Sequence, residues 1–161
     1  MVNIVQNKRS KGVTAFAIYF IVWSIITFIT SLGYIIYYIL TRLIPKQAYY
    51  YGSQGLPTAL EYTVEIVGVI GAVILFFAGF FMLKNKMSSL KILKSVIIVL
   101  ILNNILAIIK NWIGVFKPGS YGYYSAYWSA SKIAFDVFAI LFWIFVFWFF
   151  SRESVKAQLT A

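Results

Sequence analysis

Charged positions fall in short groups along this chain, and the apolar runs between the groups define its elements. No charge interrupts residues 12–41, between Lys11 and Arg42. About 20 apolar residues are enough for a helix to cross the hydrocarbon core of a bilayer, so this run is the first predicted span, at about 14–40. Lys8, Arg9 and Lys11 precede it as they would in a secretory signal, but a signal has an apolar region of about 7 to 15 residues and a small-x-small cleavage site. The run is therefore read as an uncleaved anchor. Three shorter apolar runs follow, at 66–83, 95–109 and 137–151. Each reaches spanning length once charge is admitted near one end, which places the remaining spans at about 60–83, 93–116 and 132–150.

Turn-forming residues lie between these spans: Pro45, Gly52, Gly55 and Pro57 in the first connection, and Pro118, Gly119 and Gly122 in the third. The middle connection, from Lys84 to about Leu90, is short enough to be a tight turn. None of the spans contains proline, and no internal repeat is visible. The expected fold is all-α, a polytopic membrane protein in which residues 1–161 form one bundle of four transmembrane helices.

Composition agrees with the pattern. The chain is 62% hydrophobic and 11% charged, with a mean hydropathy of +0.88, whereas a soluble domain averages roughly 45 to 50% apolar and about 25% charged residues. It has no His and no Cys, which removes the usual metal ligands, a His general base and a thiol nucleophile. No metal, cofactor or catalytic residue is indicated, and a serine nucleophile would have only Lys110 as an embedded base. The expectation is that the protein is not an enzyme.

Charge sets the expected orientation. Nine of the Lys and Arg residues fall on the side of the two termini and five on the other, and positive charge collects on the cytoplasmic side. Both termini are thus expected in the cytoplasm, with the protein in the cell membrane. The net charge of +10 comes from cations at span ends, which fits contact with anionic headgroups better than nucleic acid. Tyr49, Tyr50, Tyr51, Tyr121, Tyr123, Tyr124, Tyr127 and Trp128 in the other connections are of the type that settles at a membrane interface.

The informative residues are the polar ones inside the spans, because ionisable groups there are costly and are a default functional hypothesis. Glu61 and Glu65 share a helical stripe with Gly68, Ala72, Leu75 and Gly79, and Asn103 and Lys110 share one with Ala107 and Gly114. Asp136 falls at the same depth as Glu65 and Lys110. Glu61, Glu65, Asn103, Lys110 and Asp136 are therefore the candidate intramembrane polar network. It is read either as a Glu65, Lys110, Asp136 ion network that pins three helices together, with Asn103 hydrogen-bonded across the bundle, or as an outward-facing pocket, with Asn104 further along it, that binds a cation or exchanges a proton.

The turn Gly79-Phe-Phe-Met-Leu-Lys-Asn-Lys86 and the exit Phe149-Phe-Ser-Arg-Glu-Ser-Val-Lys156 resemble those of small uncharacterised prokaryotic four-helix integral membrane proteins. The resemblance implies four spans with cytoplasmic termini and no specific activity. The expected role is that of an accessory or scaffold subunit, docking to a larger membrane complex or to itself. The alternative is a small channel or a cation- or proton-coupled transporter.

Overall fold

A computed structural model describes residues 11–43, 59–84, 88–116 and 123–160, with side chains omitted at 41–42, 114–116, 123–129 and 158–160. Of the residues named above, Lys8, Arg9, Lys86, Tyr49, Tyr50, Tyr51, Tyr121 and the turn-forming prolines and glycines lie outside the described residues, whereas Arg42, Tyr123, Tyr124, Tyr127 and Trp128 are helical with side chains not described. Four long helices account for most of the chain: α1 (Lys11–Leu43), α2 (Ala59–Leu83), α3 (Ser88–Phe116) and α4 (Tyr123–Phe149). A short helix, α5 (Glu153–Thr160), follows. All four long helices are long and apolar enough to cross a membrane, over Lys11–Leu40, Ala59–Leu83, Ser88–Ile113 and Ala130–Phe149. The protein is an all-α, multi-pass membrane bundle.

These segments are rich in Ile, Val, Phe and Tyr, which are mediocre helix formers in water. Their helicity has another cause: lipid offers no hydrogen bonds, so each spanning segment must satisfy its own backbone, and a helix does so. For the same reason a helix does not stop where its apolar pattern stops. α3 begins at Ser88 and α4 at Tyr123, ahead of the Leu93 and Lys132 taken from hydropathy, since no Pro or Gly interrupts the intervening residues.

The helices pack in chain order, α1 on α2, α2 on α3 and α3 on α4. We refer to the end where α1 begins, α2 turns into α3 and α4 ends as the terminal end, and to the opposite end as the loop end. Nearly all apolar packing is at the terminal end. The core joins Val13, Ala17 and Phe20 of α1 with Leu75, Ala78 and Met82 of α2. Leu90, Leu93, Val96, Ile97 and Leu100 come from α3, and Trp143, Val146, Phe150 and Val155 complete it. Beyond Trp23 on α1 and before Phe142 on α4, neither helix contributes to this cluster.

Small residues bring α1 and α2 together. A Cβ placed on Gly79 would lie 2.8 Å from the Ala17 carbonyl oxygen and 3.3 Å from Phe20 Cβ, so only glycine lets these two backbones approach this closely. α1 and α4 meet differently, through large rings. Phe16 lies 5.1 Å from Phe149 and 5.5 Å from Phe150, centroid to centroid, and Phe20 lies 6.2 Å from Trp143. Such offset and edge contacts match positive ring edges to negative faces. The rings bridge helices whose backbones stand further apart, and the ring contacts described between α1 and α4 all lie at the terminal end.

Basic side chains border this end. Arg152 stacks 3.7 Å over Trp148, Lys84 sits 4.5 Å over Phe80, and Lys94 sits 5.5 Å over Phe147. α4 closes with the Ser151 and Arg152 amides donating to the carbonyls of Trp148 and Phe149. The chain then enters α5, with Glu153 in its first turn, where the helix dipole favours an acid. Val155 anchors α5 to the core.

Candidate intramembrane polar site

Toward the loop end the buried residues change character. Ser31, Val64, Glu65 and Gly68 are buried there, and three helices meet around them. A Cβ on Gly68 would lie 2.9 Å from Ser31 Oγ and 3.8 Å from Asn103 Nδ2, so the missing side chain of Gly68 makes room for a hydroxyl from α1 and an amide from α3. Asn103 Oδ1 is buried and has no hydrogen-bond partner. The neighbouring Asn104 has a different role: its Nδ2 donates to the Leu100 carbonyl at 2.8 Å, which satisfies it within α3 instead of extending the polar layer.

One turn nearer the loop end, Glu65 faces α3. Its Oε1 lies 3.9 Å from Lys110 Nζ, and the two side chains are 12% and 22% exposed. That distance is an ion pair without a direct hydrogen bond. Glu61 is half-buried a further turn along α2, and both glutamates lie within electrostatic range of the Tyr38 hydroxyl. Tyr38 and Tyr62 pack edge to face at 5.4 Å, and the Tyr62 hydroxyl donates to the Tyr38 carbonyl at 3.3 Å.

Asp136 is placed apart from this pair. Its Oδ2 accepts a hydrogen bond from Asn111 Nδ2 at 3.1 Å, and among the described residues no cation comes within 4.0 Å of it. Lys110 and Lys132 act on it only through longer-range electrostatics. The reason lies in helix geometry. Lys110 and Asn111 are consecutive and so point about 100° apart around α3; one reaches α2 and the other reaches α4. In place of one three-membered ion network, the five candidates divide into a Glu65–Lys110 pair, an Asn111–Asp136 pair, Asn103 against Gly68, and Glu61 beside Tyr38.

Asn111 and Tyr62 are the site residues that spacing alone passed over. Reading α3 by steps of three and four followed one face, whereas a helix between two neighbours has two working faces. The signal for Asn111 was its position beside Lys110 in an otherwise apolar stretch.

Among the described residues, no group of three or more His, Cys, Asp or Glu is placed to hold a metal ion. A separate groove of about 220 Å³ lies between α1 and α2, lined by Ser24, Ile25, Phe28, Ala72, Val73 and Phe76. Ser24 donates to the Ile21 carbonyl at 2.7 Å, so its polar atom is engaged within α1 and the groove presents an apolar face. Comparison with protein-family models, with curated proteins and with solved structures finds no match for this chain.

Proposed function

We propose that this protein is a non-enzymatic accessory or scaffold subunit of a larger membrane complex, held in the cell membrane with both termini in the cytoplasm. One observation carries the reading: nearly all apolar packing lies at the terminal end, while only 11% of the residues in the apolar stretch of α4 are buried and yet α4 brings Asp136 into the membrane. Lipid tails are as apolar as leucine, so helices associate there through shape, small residues and polar contacts. A loop-end half that carries polar groups and little of the apolar core is suited to completion by another helix. The positive charge at the terminal end supports the orientation.

The test is recovery of the tagged protein from its native membrane in mild detergent, followed by native mass and subunit identification. Co-purification with other membrane proteins in fixed stoichiometry is the expected result. A lone monomer would overturn the reading.

The second reading, a cation- or proton-coupled transporter, draws on the unpaired Asn103 Oδ1 near mid-span together with the carboxylates above it. Against it, the polar line from Glu61 through Glu65 stops at Asn103, and Leu75, Ile97 and Phe20 close the terminal end. In that reading Glu65→Gln abolishes flux in reconstituted vesicles without unfolding the protein.

A further inference from the structure

Asp136 and Glu65 occupy equal depths but unequal surroundings. They contact consecutive residues of α3, Asn111 and Lys110 respectively, and Glu65 lies six residues inside Ala59–Leu83, about 9 Å from the edge at a rise of 1.5 Å per residue. Glu65 has the Lys110 ammonium. Asp136 has a neutral amide. Acids at such depth pair with cations or with one another, and the described part of this chain has no further cation at that level. Lys110 is already engaged, and Lys132 stands one helical turn nearer the loop end on α4, where its exposed side chain can extend to the headgroups. Among the described residues, a second copy of this chain would bring the same two lysines at the same two levels.

The surroundings of Asp136 are open on one side. α3 covers it through Asn111, while Phe135 and Phe138 beside it are 60% and 67% exposed, and α1 and α4 share no part of the core at this level. We propose that Asp136 docks a lysine or arginine carried on a transmembrane helix of a partner protein, which packs along α4 at the loop end. This rests on the accessory-subunit reading and specifies its partner: a single apolar helix with one basic residue about six positions from its loop-side end.

The probe is a synthetic polyleucine transmembrane helix with one lysine at that position, compared with an all-leucine helix. Binding to the full-length protein is read by fluorescence energy transfer in uncharged phosphatidylcholine vesicles. The lysine helix is expected to bind about tenfold more tightly than the all-leucine helix, the factor that one polar contact between helices is worth in a bilayer. Asp136→Asn, which keeps an acceptor for Asn111, should abolish that preference, while Asp136→Glu and Lys132→Gln should retain it. Equal binding of the two helices by the wild-type protein, or a preference that survives in Asp136→Asn, overturns the proposal. The two levels fail separately. A protein purified alone from its native membrane defeats the accessory reading, whereas a stoichiometric partner with no Lys or Arg in its spans defeats only the role of Asp136.

Discussion

Two glycines on α2 separate backbone contact from side-chain contact. At Gly79 an added methyl meets the Ala17 carbonyl at 2.8 Å, and a backbone atom cannot step aside; at Gly68 it meets the Ser31 hydroxyl at 2.9 Å, which can rotate. Gly79→Ala should therefore destabilise the α1–α2 pair by about 1–3 kcal/mol, in the range of overpacked sites, and Gly68→Ala by less. Thermal melting of the two variants in detergent checks the order. The Glu65–Lys110 pair yields a second residue-scale prediction. Glu65→Gln leaves an uncompensated ammonium and should lower the melting temperature, while adding Lys110→Met to it should restore much of the loss, because no buried charge is then left without its counter-ion.

At the scale of elements, the ring contacts between α1 and α4 act as a clamp at one end. The chain has no native cysteine, so paired cysteines report helix proximity without background. Cysteines at Phe16 and Phe149, whose rings are 5.1 Å apart, should cross-link readily with a short bifunctional reagent. Cysteines at Ile29 and Phe135, about 20 Å further along the same helices at 1.5 Å per residue, should not. Efficient cross-linking of the second pair would mean that the loop end closes on itself. α5 makes a pH-dependent prediction. The Lys156 ammonium beside Glu153 holds that carboxyl below the ordinary glutamate value of 4.5. A depressed folded value stabilises the helix above that pH, and the contribution is lost as pH falls through the folded value. The Val155 methyl resonances, which report docking of α5, should shift over that acidic window in the wild type and less in Glu153→Gln.

On the scale of the whole molecule, the two ends differ in what holds them. The terminal end is sealed by apolar and aromatic side chains from all five helices, and the loop end depends on a few polar contacts worth roughly 0.6 to 2 kcal/mol each. Phe20→Ala, which removes a fully buried ring, should cost about 3–5 kcal/mol by analogy with large-to-small core substitutions. Asn103→Leu should cost far less or be neutral, because it removes a buried acceptor that has no partner. Unfolding of both variants, followed by circular dichroism in detergent, compares the two ends directly. A larger loss from Asn103→Leu would show that the polar layer, and not the aromatic core, holds the helices.

The four helices and their passage through a membrane were legible in the amino-acid sequence, because in lipid an apolar run of sufficient length has to be helical, whatever its neighbours. The small-residue stripe of α2 was legible for a related reason: helical periodicity is local, and Gly68, Ala72, Leu75 and Gly79 share a face before any partner is known. The depths of Glu65, Lys110 and Asp136 followed from the same 1.5 Å rise. Which of these groups touch could not be read in this way, since contact depends on the order and rotation of helices that are distant in sequence. Placing α3 between α2 and α4 sends Lys110 to Glu65 and Asn111 to Asp136, dividing what spacing had gathered into one network. The concentration of apolar packing at the terminal end has both causes: α4 is already more polar over 123–136, with Ser125, Ser129, Ser131, Lys132 and Asp136, than over 137–149, whereas the loop-end half of α1 is still rich in Ile and Leu and lacks a core only because of how the helices are arranged.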